Sequence, residues 1–217
     1  MSKSKTKRHI ILGITGASGI VYAQRFIEFL PEDVQLHLVV SNGAKKVIAE
    51  EVGQDLVIRN PRVEIYPNAD LGAAIASGSF KVEAMVILPC SMTTLAAVAM
   101  GLGDNLIRRA ADVMLKERRK LVIVPREAPF SSIHLENMLK LSREGVSVIP
   151  ANPGFYHQPQ SMDDLVNFVV QKVYDQLNIE VDLIKRWHGG AAKKTKKSEK
   201  SQSLSPFLSW LQFPSKN

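Results

Sequence analysis

Four apolar runs in this chain end in residues suited to holding an anion. His9–Ile14 leads into Thr15-Gly16-Ala17-Ser18-Gly19, and Val34–Val40 leads into Ser41-Asn42-Gly43. Ala84–Leu88 leads into Pro89-Cys90-Ser91-Met92-Thr93-Thr94, and Leu121–Val124 into Pro125-Arg126-Glu127. Hydroxyls, glycines and a guanidinium thus recur where a strand gives way to a helix. Unpaired backbone N–H groups and the positive end of the helix dipole converge at such a point. Open α/β sheets bind their ligands along this carboxyl edge. The chemistry to expect is recognition of a phosphate or a phosphorylated cofactor.

The first turn spaces its glycines G-x-x-G-x-x-G, at Gly13, Gly16 and Gly19, which is not the G-x-G-x-x-G dinucleotide fingerprint. Thr15 and Ser18 add two hydroxyls, so we read the turn as one wall of a phosphate or cofactor pocket. Glycines at such a turn can also serve tight packing alone. After the second run a dinucleotide enzyme places an acid for the ribose diol, whereas Ser41 stands here. A mononucleotide or another phosphate ligand fits better. Ser91 has a second reading as a plain helix N-cap. Arg126, at the end of a buried strand, requires an anionic partner, either a phosphate or an acid such as Glu127.

Other candidates carry less. Glu50 and Glu51 close the second helix, and a solvated helix end accounts for at least one of them. Cys90 reads as a small core residue, with no histidine near it in sequence. The five histidines, at 9, 37, 134, 157 and 188, make no metal-ligand spacing. Asp163 and Asp164 follow Ser161 as helix-start acids, and Lys172 on that helix reads by itself as a solvated lysine. There is no P-loop, Cys-x-x-Cys, His-Glu-x-x-His or Gly-x-Ser-x-Gly motif.

Helical patterns alternate with the strands that end in these residues. They cover Ile20–Leu30, about Ala44–Val52, Leu95–Gly101, Asn105–Arg119, Ser131 or Ser132 to Ser142, and Ser161 to Leu177. A short helix to Trp187 is expected after the last. Further strands are expected at Val63–Tyr66 and Val146–Ile149, with a helical turn near Leu71–Ala76. Near-continuous apolar strands are those covered on both faces. The fold class is therefore α/β, a Rossmann-like open parallel sheet flanked by helices on both faces, in a single domain. Residues 1–8 form a basic arm and 9–188 the domain. Residues 189–217 read as a basic, compositionally disordered tail containing the aromatic segment Ser205–Phe213.

The composition, 45% hydrophobic and 23% charged, suits a soluble globular protein, and no apolar run is long enough for a membrane span. The net charge of +7 is misleading as a whole. Lys3, Lys5, Lys7 and Arg8 sit at one end, and six lysines face only Glu199 in 191–217, so the body is slightly acidic. A nucleic-acid groove in the body is not expected. The basic start runs straight into a strand with no cleavage pattern, and one cysteine fits a reducing compartment, so the expected location is the cytoplasm.

Several linked motifs now make a family recognisable. Gly-Ile-Thr-Gly-Ala-Ser-Gly at 13–19, Pro-Cys-Ser-x-x-Thr at 89–94, Arg-Ala-Ala-Asp-Val at 109–113 and Leu-Lys-Glu-Arg-Arg at 115–119 resemble the flavin prenyltransferases of UbiX type. Val-Pro-Arg-Glu-Ala-Pro at 124–129 and Gly-Phe-Tyr-His-Gln-Pro-Gln-Ser at 154–161 do so as well. That family is similar in fold to the homo-oligomeric flavin-containing cysteine decarboxylases. The resemblance implies that dimethylallyl phosphate alkylates reduced FMN at N5 and then C6, closing a fourth ring. The product, prenylated FMN, serves a UbiD-type decarboxylase, and no metal takes part.

Residue by residue, the resemblance assigns FMN binding to Gly16, Ala17, Ser18, Ser41, Ser91, Met92, Thr93, Thr94 and Arg126. Tyr156, Lys172 and Trp187 are assigned to the prenyl phosphate, with Arg126 and Glu127 near it. Lys116 would reach that phosphate from an adjacent subunit of a homo-oligomer, a dodecamer. Glu51 and Ser18 would handle the proton lost from the flavin during ring closure, and Glu127 would pass a proton to the leaving phosphate. One departure is Leu71, where some members carry a tryptophan before the Ser-Gly-Ser loop. Other readings open at this point are a peptidyl-cysteine decarboxylase, a non-catalytic FMN carrier and a nicotinamide reductase.

Overall fold

The computed structural model describes residues 7–53, 58 and 60–186. Its sheet has six parallel strands: β1 (Arg8–Ile14), β2 (Val34–Val40), β3 (Val63–Pro67), β4 (Ala84–Cys90), β5 (Lys120–Pro125) and β6 (Ser147–Val148). Their order across the sheet is β3-β2-β1-β4-β5-β6. The helices are α1 (Ile20–Glu28), α2 (Asn42–Val52), α3 (Met92–Ala99), α4 (Leu106–Lys116), α5 (Ser132–Arg143) and α6 (Met162–Gln176). Only a 3-10 turn, Ala74–Ala76, lies where a longer helical turn was expected.

The apolar strands are buried because each face has its own helical layer. Ile10, Leu12 and Ile14 point into a core shared with Phe26 of α1, Ile48 of α2 and Val170 and Tyr174 of α6. Ile11, Met85 and Ile87 point the other way, onto Leu95 of α3, Ile107 and Met114 of α4 and Leu141 of α5. Each such aliphatic side chain contributes about 1.5–3 kcal/mol by leaving water. The first layer is pinned at depth by Tyr174, which stacks on Phe26 at 4.6 Å and donates its hydroxyl to Phe26 O at 2.5 Å.

Strand β1 opens with Arg8, which pairs with Glu83 and donates to Leu177 O at 3.0 Å, so this cation belongs to the sheet and not to a free arm. The described residues up to Lys185 form one compact unit. The helix expected after α6 is absent among residues 178–186. Asn178 takes a left-handed φ of 52° that ends α6, and the following segment is held by Leu183 N donating to the buried Gln171 Oε1 at 2.9 Å. Trp187 and the 189–217 tail lie outside the described residues.

Candidate active site

Of the six α-helices among the described residues, five are capped by the side chain just before them: Ser41, Ser91, Asn105, Ser131 and Ser161. The exception is α1, whose N-cap is Gly19 in a left-handed conformation at φ 107°, where a Cβ would sit 2.9 Å from the Tyr22 ring. A glycine is required there and offers no cap of its own. Glu51, in the last turn of α2, supplies it. Its carboxylate accepts from Gly19 N at 3.0 Å and Ile20 N at 2.9 Å, and the neighbouring Ser18 hydroxyl favours its charged form.

The start of α1 therefore does not seat a phosphate, while the exposed Gly16 and Ser18 leave the turn available as one wall of a cofactor pocket. The anion seat at the start of α1 is filled by the chain's own carboxylate, placed there by the close approach of α2. That approach needs Gly16 against Gly43, where a Cβ on Gly16 would lie 3.1 Å from the Gly43 backbone. Gly13 is a packing residue, its α-carbon facing Ile107. Burial pushes the Glu51 carboxyl up, but bonds from Ser18, Ile20 and Gly19 and the charge of Arg126 outweigh it, and Glu51 titrates below the ordinary glutamate value. It is therefore an ionised base at neutral pH, joined to an exposed hydroxyl.

Ser41, the glycine turn, Ser91 and Arg126 follow β2, β1, β4 and β5, four strands that are neighbours in the sheet. The chain changes direction between β1 and β4, and such a switch point opens a crevice at the carboxyl edge. Thr15 stitches it: its buried hydroxyl donates to Pro89 O at 3.0 Å and accepts from Ser91 N at 2.7 Å. At the start of α3, Ser91 Oγ caps Thr94 N and donates to Thr94 Oγ1 at 3.1 Å. The Met92 side chain is buried, so what Met92 can offer a ligand is its amide, and Thr93 is exposed beside it. Among the described residues the Met92 and Thr93 amides have no acceptor, in contrast to the filled start of α1.

Arg126 is exposed beyond β5 and forms no ion pair within 4.0 Å among the described residues, so neither the expected burial nor a pairing with Glu127 is found. Glu127 instead accepts from Ala128 N at 3.0 Å and is also exposed. An exposed guanidinium, two open amides and two hydroxyl caps along one edge suit a phosphorylated, planar ligand such as FMN. Cys90 is fully buried and its thiol is pushed up by that burial, which makes it a core residue.

Two expected phosphate ligands contact one ring, Phe168. Lys172 Nζ lies 5.7 Å from the centre of the Phe168 ring, and the Tyr156 ring meets the same Phe168 edge-on at 5.7 Å. Lys172 also lies 4.0 Å from Asp175. Lys116 stands apart. It ends α4, whose start bonds to Asn68 beyond β3, so the helix carries Lys116 about 15 Å to the opposite edge of the sheet. There it pairs with Glu117 beside Gly78, in the loop that Arg119 clips through Gly78 O and Phe80 O. Leu71, at the position of the missing tryptophan, is exposed.

Comparison with known proteins gives the family. A family described as Flavoprotein matches residues 1–174. The flavin prenyltransferase UbiX of Methanocaldococcus jannaschii is 51% identical over 179 residues, 82% of this chain and 97% of that protein. This chain belongs to the flavin prenyltransferase family. Solved structures of similar chains carry the same fold. AnUbiX (PadA1), in complex with FMN and dimethylallyl pyrophosphate, is 39% identical with a TM-score of 0.80 over 85% of this chain and 99% of that one. A dodecameric FMN-dependent UbiX-like decarboxylase from Escherichia coli O157:H7 is 44% identical, with a TM-score of 0.77 over 83% and 100%.

In this flavin prenyltransferase chain, two residues at the candidate site make contacts that sequence reasoning did not assign. Thr15 was visible only as one more hydroxyl in a glycine turn, and its bridge to Ser91 spans 76 positions. Phe168 sat unremarked in an apolar helix stripe. The Gly154-Phe155-Tyr156-His157 loop was its only signal, since a glycine before aromatics marks a close approach to a ring.

Proposed function

We propose that this chain transfers a dimethylallyl group from dimethylallyl phosphate to N5 and C6 of reduced FMN, making prenylated FMN for a UbiD-type decarboxylase. The observation that carries the proposal is the convergence of Ser18, Glu51 and Arg126 at the carboxyl edge, in a chain half identical to flavin prenyltransferases. Bound FMN supplies a nucleophilic ring edge, and this chain's residues hold and discharge the reacting groups. Gly16, Ala17, Ser18, Ser41, Ser91, Thr93, Thr94, Arg126 and the Met92 amide line the flavin side. Arg126, Tyr156 and Lys172 hold the prenyl phosphate and favour its departure by placing positive charge and a hydroxyl against it. Glu127 passes a proton to the leaving group, while Glu51 accepts one through Ser18.

Lys116 joins a site only when a second copy brings it there, so assembly is part of the chemistry. Helix α5 supports assembly: it buries only Leu141 and leaves Ile133, Leu135 and Leu139 half or more exposed. An unpartnered apolar helix face of that kind suits a subunit contact. We take the assembly to be a dodecamer, and the cytoplasm to be where a buried lone thiol stays reduced. Trp187 is part of the same proposal as an aromatic wall for the allylic group.

An anaerobic incubation with reduced FMN and dimethylallyl phosphate tests the reading. The flavin is expected to gain the mass of one five-carbon unit with release of inorganic phosphate. Flavin recovered at unchanged mass contradicts it.

A further inference from the structure

Tyr156 and Lys172 come from different parts of the chain, the loop 150–159 and the middle of α6, yet both rest on one ring. Phe168 lies one helical turn before Lys172, so the lysine stem runs over it with Nζ 5.7 Å from the ring centre. Tyr156 meets the ring edge-on, at 5.7 Å and 77°, and His157 stacks flat on it at 5.3 Å and 12°. The loop lies flush against this ring: a Cβ on Gly154 would come within 2.8 Å of Phe168 Cζ. Both ring nitrogens of His157 are buried and make no hydrogen bond among the described residues, so stacking rather than a polar contact holds this imidazole. Phe168 itself is only 9% exposed.

We infer that Phe168 is a positioning residue for the phosphate end of the prenyl donor. It fixes how far the Tyr156 hydroxyl stands from the Lys172 ammonium. This rests on the proposed roles of Tyr156 and Lys172, and it adds a residue that does not touch the phosphate. A hydroxyl and an ammonium that arrive already spaced bind one phosphate without first ordering a loop. Without the ring the loop loses its seat and the lysine its platform, while the flavin side of the site is left as it was.

The test is a steady-state comparison of wild type with F168L, which keeps apolar volume and removes the ring. F168L is expected to raise KM for dimethylallyl phosphate about 3- to 10-fold, the loss of one aromatic and one cation–π contact. Its FMN affinity by flavin fluorescence is expected to stay at the wild-type value, and its kcat at saturating donor to fall less than KM rises. H157F, which keeps a ring in the stack, is expected to retain the wild-type KM. If F168L does not fold, H157A takes its place with a smaller rise in KM. An unchanged KM in the folded variant overturns the inference, as does a fall in kcat and FMN affinity without a change in KM. Should wild type itself transfer no prenyl group, the proposed function fails first. The inference is then read from calorimetric binding of dimethylallyl phosphate to the FMN-loaded protein, where equal affinity for wild type and F168L overturns it.

Discussion

The Thr15 hydroxyl accepts a hydrogen bond from Ser91 N at 2.7 Å, which helps join the ends of β1 and β4 at the switch point of the sheet. The same oxygen donates to Pro89 O at 3.0 Å, so both capacities of a 1% exposed hydroxyl are used. Removing it leaves a buried amide and a carbonyl with one partner fewer. T15V is expected to lose about 1–3 kcal/mol in urea denaturation and to bind FMN more weakly. T15S keeps the hydroxyl and is expected to keep FMN affinity. Equal FMN affinity in T15V and wild type would disconnect the bridge from the site.

Glu51 does two jobs, and two substitutions separate them. As the cap of α1 it needs only an acceptor oxygen, which Gln retains and Ala does not. E51A is expected to lose about 1 kcal/mol of stability by thermal or urea denaturation, and E51Q less. As a base it must take a proton, which Gln cannot do. E51Q is therefore expected to bind FMN normally but to slow ring closure by about 10²–10⁴-fold, read as accumulation of flavin alkylated but not cyclised. Finished product at the wild-type rate from E51Q would remove Glu51 from the chemistry.

The depressed titration of Glu51 also sets a pH dependence. Its folded value lies below its unfolded value, so the ionised form stabilises the fold above the ordinary glutamate range. That contribution is lost as pH falls through the depressed value. At neutral pH wild type is expected to exceed E51Q by about 0.3–1 kcal/mol, the value of a charge at a helix start. The gap should close at acid pH. A gap that widens on acidification would mean that the carboxylate is not stabilised there.

Lys116 and Arg126 lie at opposite edges of one subunit's sheet, which allows complementation. K116A and R126A are each expected to lose about 10²–10³-fold in kcat as pure assemblies, the usual cost of one donor to developing charge. Assemblies formed by mixing the two unfolded proteins and refolding them together are expected to regain activity, because some sites then draw Arg126 from one subunit and Lys116 from its neighbour. Mixed assemblies no more active than the pure ones would place both residues in the same subunit's site.

The sheet was legible from sequence because its signal is local. β2 spans Val34–Val40, the same residues as its apolar run, and Ser91 and Ser161 cap α3 and α6 as their spacing implies. Boundaries shifted where a cap decides them: α3 begins at Met92, directly after Ser91, and not at Leu95. β6 covers only Ser147–Val148, inside the expected Val146–Ile149. What sequence could not reach were contacts across long separations. Residue type alone does not separate Glu50 from Glu51, and only the fold carries Glu51 31 positions back onto Ile20. Nothing in the sequence singles out Phe168, which is core on one side and carries the loop at 150–159 on the other. The resemblance to the family named Tyr156 and Lys172, and only the fold placed the same ring beneath both.

The central claim is that the carboxyl edge around Ser18, Ser91 and Arg126 gathers FMN and the allylic phosphate into contact. A crystal structure of the assembled protein soaked with both molecules measures this directly. The account predicts a flavin lying along the ends of β1, β4 and β5, with its phosphate end near the open amides of Met92 and Thr93 and the guanidinium of Arg126. It also predicts a prenyl phosphate beside Arg126. Ligand density elsewhere, with the Ser18 and Arg126 neighbourhood closed by side chains, would contradict it.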